Sequence, residues 1–224
     1  MCELKIERVT LTDSVNWRAC LEIYRESFPN WEREPEDIVA KRVQQGRYLL
    51  FAGIDTQEKV VGFYILDLVA EFNYVLFSFL AVTKSERGKG YGTFLCKDAT
   101  TRFKNETNID WLFIEAENRQ AIFYGQLGFR KLTLDYKVPK FCEPGSVMMH
   151  LMTINAYEGI NHIQGNDLTQ MIECIFLDGY HLSKNDNRVS EQIALIPKQV
   201  KLIPWPEKKK DKKYVEIHAI GQYL

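Results

Sequence analysis

The chain has 224 residues, a formal net charge of −1, and 46% hydrophobic against 26% charged residues. This is the balance of a globular protein long enough for a substantial core. Its near-neutral charge supplies no overall field to recruit nucleic acid or an anionic membrane, so the expected partner is small or locally recognised. In chain order, "LKIERVTL" (4–11) alternates as a first strand, and Thr12, Asp13 or Ser14 can cap the helix 15–28. Pro29 and Asn30 end that helix. Pro35 suits the first position of a second helix, 35–46, closed by Gly46. Three strands follow at 47–54, 60–70 and 73–82, then a glycine-rich turn and an amphipathic helix, 91–105. "DWLFIEA" (110–116) reads as a short buried strand and 118–129 as a helix stopped by Gly128. Strands at 130–136 and 146–154 are joined by the loop "KVPKFCEPG" (137–145). Beyond Asn155 the regular alternation stops. A helix at 166–180, capped by Asn166 or Asp167, a weaker one at 187–196, and a proline-punctuated basic stretch ending in strand-like residues complete the chain.

The five cysteines (Cys2, Cys20, Cys96, Cys142, Cys174) are odd in number and contain no C-x-x-C pair. They read as free thiols in a reducing compartment, and a cytoplasmic location is expected. The four histidines lack ligand spacing, so no metal site is expected. The polar start "MCELKIERVTLTD" does not read as a signal peptide. No apolar run approaches the ~20 residues needed to span a bilayer.

The segment "ERGKGYGTFL" (86–95) follows the apolar run "VLFSFLAV" (75–82). It lacks the P-loop spacing, and Thr93 stands where a Rossmann fingerprint needs glycine. What remains is Arg87-Gly88-Lys89-Gly90-Tyr91-Gly92, R-x-x-G-x-G between a strand and a helix. Such a turn gathers backbone N–H groups and the positive end of a helix at one spot, which suits a pyrophosphate. Gly88, Gly90 and Gly92 permit close backbone approach, Arg87 and Lys89 add charge, and the Thr93 hydroxyl can donate.

The element order with this loop after the fourth strand resembles the GNAT superfamily of N-acetyltransferases. "EAENRQAIFYGQLGF" (115–129) is similar to the second family motif, A-x-x-F-Y-x-x-L-G-F. The resemblance covers roughly residues 1–154, leaving 155–224 as a C-terminal helical extension that packs on the core or mediates a homodimer. It implies a mixed α/β (α+β), mostly antiparallel twisted sheet flanked by helices and splayed between the fourth and fifth strands. It further implies acetyl-CoA as acyl donor, bound by Leu80, Ala81 and Val82 through their backbone, by residues 87–93, and by Asn118 and Tyr124. Tyr124 would assist the departing thiolate, and the Val82 N–H would polarise the acetyl carbonyl. The implied activity is direct transfer to a primary amine of a small molecule or peptide. The acceptor loops would be 27–35 and 135–145, where Trp31, Glu32, Glu34, Tyr136 and Phe141 combine aromatic rings with carboxylates suited to a cationic amine.

The chain departs from the family at Leu76, where many members carry a proton-relaying glutamate. Glu32, Glu34, Glu71, Glu115, Glu117 and an ordered water stay open as the base. A covalent route through Cys96 or Cys142 has no histidine nearby in sequence. The rival class is an inactive acyl-CoA-binding or regulatory module, which Leu76 favours and the intact loop with Tyr124 opposes. "KKKDKK" (208–213) reads as a solvated basic loop.

Overall fold

The computed structural model describes residues 4–207; the basic run at 208–213 and the strand-like terminal residues lie outside the described residues. β1 (Lys5–Val9) leads to α1 (Ser14–Ser27), whose N-cap is Asp13, its carboxylate accepting from the Asn16 N–H at 3.2 Å. A short turn brings in α2 (Glu36–Gln44). β2 (Tyr48–Ile54), β3 (Val60–Val69) and β4 (Tyr74–Val82) form an antiparallel meander. α3 (Tyr91–Glu106), β5 (Trp111–Ala116) and α4 (Asn118–Gln126) follow, then β6 (Arg130–Leu132), β7 (Tyr136–Pro139) and β8 (Ser146–Asn155). The last described elements are β9 (His162–Gln164), α5 (Gly165–Cys174) with a π-helical turn Ile175–Gly179, α6 (Asn187–Ala194) and β10 (Gln199–Pro204).

The ten strands among the described residues form one mixed, mostly antiparallel sheet in the order β1-β2-β3-β4-β5-β8-β6-β10-β9, with β7 on β8. β4 and β5 are a parallel pair, joined through the crossover helix α3. Three apolar clusters use its two faces. Leu95, Ala99 and Phe103 of α3 and Ala121 and Tyr124 of α4 pack under one face. Ile23 and Tyr24 of α1 and Val39 of α2 cover the other at the β1–β4 end. Leu168 and Ile172 of α5, with Phe176 of the π turn, cover the β5–β8 end.

Four details differ from the sequence reading. The strand read at 130–136 stops at Leu132, and Tyr136–Pro139 ("YKVP") forms β7 in place of the start of the loop, because Tyr136, Val138 and Pro139 are buried against β8. The extension adds strands to its helices: β10 pairs with β6 and β9 in turn with β10. α5 begins at Gly165 after Gln164, not after Asn166 or Asp167. Glycine is needed there because a Cβ would lie 2.1 Å from the Pro197 carbonyl oxygen. Pro35 is the N-cap of α2, one residue before the helix proper.

Candidate active site

The site is made by an irregularity in β4. Ile65 pairs with Phe79 and Leu66 with Phe77, which leaves Ser78 as an extra residue. A bulge of one residue exchanges the faces of everything after it. Val75 and Phe77 before it, and Leu80 and Val82 after it, therefore all face the α3 side. Phe79 and Ala81 turn to the α1 side. The parallel pairing with β5 ends at the same point: it joins Tyr74, Val75 and Leu76 to Trp111, Leu112 and Phe113 and goes no further.

Past Leu76 the two strands diverge, and the edge of β4 that faces β5 pairs with no strand among the described residues. The Thr83 N–H donates to the Val61 carbonyl at 2.9 Å, which sets the phase of the ladder. By the alternation of an antiparallel pair, Ala81 and Phe79 bond to β3, whereas the N–H and C=O groups of Leu80 and Val82 point to the open edge. The Val82 carbonyl accepts from Arg87 Nε there at 3.0 Å. The expected trio thus divides: Leu80 and Val82 offer their backbone to the cleft, and Ala81 does not.

A cavity of about 290 Å³ occupies the divergence. Phe77, Ser78 and Leu80 of β4 form one wall, and Ile114, Glu115 and Ala116 of β5 the other. α4 contributes Tyr124 and Gln120, and the segment after α1 contributes Trp31 and Glu32. The Gln120 Oε1 is buried without a hydrogen-bond partner among the described residues. A second space, about 60 Å³, shares Glu32, Phe77, Ser78, Glu115 and Met149 with the first. It is otherwise lined by Leu76, Phe79, Tyr48, Asp67, Phe141, Gly179 and Tyr180.

Tyr124 is buried, its ring 6.3 Å from that of Phe77 and 5.5 Å from Phe129. Burial holds its hydroxyl well above the usual phenol range, and Cys96 and Glu32 push the same way. It is therefore a neutral donor at any physiological pH. Glu115 is gripped by two phenols: Tyr136 donates to one carboxylate oxygen at 2.5 Å and Tyr180 to the other at 2.5 Å. Burial raises its pKa, against the two hydrogen bonds. Glu32 faces it across the cavity. Its carboxyl is pushed up to about 7 by burial, and then by the like charges of Glu117 and Glu115.

The glycine loop lies beyond the end of β4 and lines neither space. Gly88 and Gly90 have φ of +80° and +88°, and an added Cβ would meet nothing within 4 Å. The backbone conformation therefore demands glycine, and the volume beside both α-carbons is open. Gly90 caps α3 with no side-chain bond, and the first N–H groups of a helix have no intrahelical acceptor. Gly92 is buried in the first turn of α3, while Tyr91 packs on the core and Thr93 is half-buried. Lys89 pairs with Glu86 at 2.8 Å, and Arg87 also reaches Ser27 Oγ at 3.4 Å.

The acceptor-loop residues are brought near one another but not to one task. Trp31 and Glu32 line the larger cavity, Phe141 the smaller, stacked on Tyr180 at 4.8 Å. The Phe141 N–H donates to the Trp31 carbonyl at 2.7 Å, which joins the two loops. Tyr136 is buried and holds Glu115. Glu34 is buried and lines neither space: it takes Tyr48 at 2.7 Å, Arg42 at 3.1 Å and His181 at 2.8 Å. Asn118 is the first residue of α4 and meets His150 Nε2 at 2.5 Å. Glu71 is exposed on a 3-10 turn. Burial in the core lifts the Cys96 thiol to about 12, so it is no nucleophile. Tyr180, Ser78 and Gln120 were missed by the sequence reading. No local pattern marks them, because each matters through a partner on another element.

The acetyltransferase (GNAT) family model matches residues 17–129, half of the chain. The chain belongs to the GNAT acetyltransferase family. Among solved structures, it is similar to a GNAT-family protein from Bacteroides thetaiotaomicron: TM-score 0.64, 18% identity, covering 80% of this chain and 99% of that one. It is also similar to a Sinorhizobium meliloti phosphinothricin acetyltransferase in complex with AcCoA: TM-score 0.55, 19% identity, covering 70% and 90%. A third is the spermidine N-acetyltransferase of Vibrio cholerae in complex with CoA and spermine: TM-score 0.54, 17% identity, covering 68% and 95%. No curated protein sequence matches the chain. Among the described residues no helix of this GNAT protein is long and apolar enough to cross a membrane.

Proposed function

We propose that this GNAT protein is an acetyl-CoA-dependent N-acetyltransferase that acylates a primary amine of a small molecule or peptide. The observation that carries the reading is the cavity at the divergence of β4 and β5, with a neutral, buried phenol on its wall. The residues present suit an acyl-CoA. The open edge at Leu80 and Val82 offers main-chain partners to an extended amide-bearing arm, and the orphaned Gln120 oxygen can accept one further N–H. The positive-φ glycines and the start of α3 form an open cradle for a pyrophosphate.

When bound, acetyl-CoA would supply an activated acyl group. The chain's own residues then act on it by position. The Val82 N–H, directed to the open edge, would polarise the carbonyl, and the Tyr124 hydroxyl would donate toward sulfur. Exclusion of water between β4 and β5 strengthens both interactions. Holding the amine beside the thioester supplies much of the acceleration. The wall of carboxylates and rings formed by Glu32, Glu115, Trp31 and Phe141 favours a cationic acceptor. Thiol release from acetyl-CoA, measured against polyamines, amino sugars, amino acids and lysine peptides, tests the reading; acceptor-dependent release supports it.

The second reading, a binding module without turnover, rests on Leu76, which lines the smaller space where many family members present a glutamate. Under that reading acetyl-CoA binds and no acceptor in the panel releases thiol.

A further inference from the structure

Leu76 leaves the β4 wall of the site without a proton acceptor, yet the rest of the larger cavity's lining carries three carboxylates, Glu32, Glu115 and Glu117. Glu32 enters from the 3-10 turn Asn30–Glu32 and lines both the larger and the smaller space. Glu115 shares that position from β5, but both of its oxygens are already taken by Tyr136 and Tyr180. Glu117 lines only the larger space and is exposed. Glu34 is enclosed by Arg42, Tyr48 and His181. Among the described residues, Glu32 is thus the carboxylate that combines access to both spaces with no side-chain hydrogen bond or ion pair holding it.

We propose that Glu32 is the general base that takes the proton from the acceptor ammonium, replacing across the cavity the group missing at Leu76. Glu115, clamped by two tyrosine hydroxyls that favour its ionised form, is a positioning residue: its carboxylate attracts the ammonium and keeps Glu32 avid for a proton. This rests on the acetyltransferase reading given above. The balance is simple. The acceptor nitrogen enters as an ammonium and loses two protons. One passes to Glu32 and on to water. The other leaves as the C–N bond replaces the C–S bond and ends on sulfur, through Tyr124. The groups that face Glu32 are Glu115 and Glu117 from β5 and its exit, Tyr124 from α4 and Tyr180 from the C-terminal segment. Across the smaller space stand Tyr48 and Asp67, the latter already paired with Arg47 at 2.6 Å and Arg42 at 3.4 Å. Their sum is negative, so the ionised form of Glu32 is disfavoured until the pH passes about 7. Loss of turnover on acidification through that region is the expected consequence.

Two measurements on the full chain test it together. The first is the pH dependence of amine-dependent thiol release for the parent, Glu32→Gln, Glu32→Asp and Glu115→Gln. The second is a carboxyl carbon NMR titration of the ligand-free, glutamate-labelled protein. The expected result is an acid limb near 7 in the parent and a fall in turnover of about 100-fold in Glu32→Gln with the limb abolished. Glu32→Asp should restore part of the rate. Glu115→Gln should move the limb to lower pH, which a purely structural role would not do. One resonance should titrate near 7 and vanish in Glu32→Gln. If Glu32→Gln keeps both rate and limb, the base assignment is overturned and the acetyltransferase reading stands. If the parent binds acetyl-CoA and releases thiol with no amine, the acetyltransferase reading falls and the base with it, whatever the NMR titration gives.

Discussion

At the residue scale, Tyr124 and Gly90 bring opposite kinds of necessity to the site. In the proposed reaction Tyr124 acts through a hydroxyl that burial keeps protonated. Tyr124→Phe preserves the ring contacts with Phe77 and Phe129, so steady-state kinetics should show turnover reduced ~10²–10⁴-fold with acetyl-CoA affinity unchanged by calorimetry. An unaltered turnover and pH profile would make Tyr124 a packing residue. Gly90 matters for its backbone: at φ +88° an L side chain costs roughly 1–2 kcal/mol. Gly90→Ala should therefore weaken acetyl-CoA binding by about tenfold if the strained loop relaxes. Gly90→Glu, which adds a negative charge at the proposed pyrophosphate cradle, should abolish it. The sequence singles out both positions, Tyr124 through its motif and Gly90 through its spacing; the structure puts Tyr124 on the cavity wall and Gly90 at a positive φ. The reason for Gly90 was not legible in the sequence: open space surrounds it, and conformation rather than collision selects glycine.

At the scale of elements, the bulge at Ser78 does what no single side chain can. It turns Leu80 and Val82 to the cleft side and coincides with the end of the β4–β5 ladder. The splay was expected from the family resemblance, whereas the bulged residue was not identifiable, because an apolar run such as "VLFSFLAV" carries no alternation to betray a slip of phase. α4 shows a second constraint. A Cβ on Gly125 would lie 1.8 Å from the Trp205 carbonyl oxygen, so the segment after β10 presses directly on the helix that bears Tyr124. Gly125→Val must separate the two, and thermal denaturation should register a loss of about 1–3 kcal/mol. A variant as stable as the parent would mean that residues after β10 do not bear on α4.

At the scale of the whole molecule, a partly buried ionic network ties the C-terminal segment to the first half of the chain. Arg42 contacts Glu34 at 3.1 Å and donates to the Asp178 carbonyl at 2.6 Å. Arg47 forms a two-pronged pair with Asp67 and also contacts the Asp178 carboxylate. Asp178 sits in the π turn just before Tyr180, so this network and the Tyr180–Glu115 bond position the same turn over the smaller space. Arg42→Met would strand Glu34 without its cation in the interior, and chemical denaturation should show a loss of about 3–5 kcal/mol. A loss below about 1 kcal/mol would place the network with the weak surface pairs. The sequence reading offered Glu34 to the acceptor because its loop position and charge look the same as those of Glu32. The structure sends one to a buried arginine and the other to the cavity.

The sequence by itself determined the order of elements from β1 to α4, the glycine turn and the helix carrying Tyr124, because periodicity, capping and conformational demand act over a few neighbouring residues. Only the tertiary structure decided which carboxylates face the cavity, that Tyr136 and Tyr180 hold Glu115, and that β9 and β10 extend the sheet. Those outcomes depend on pairings between residues far apart in the chain, such as Glu115 with Tyr180 and Arg42 with Asp178. The burial and field that set each group's chemistry exist only once such distant segments are packed together.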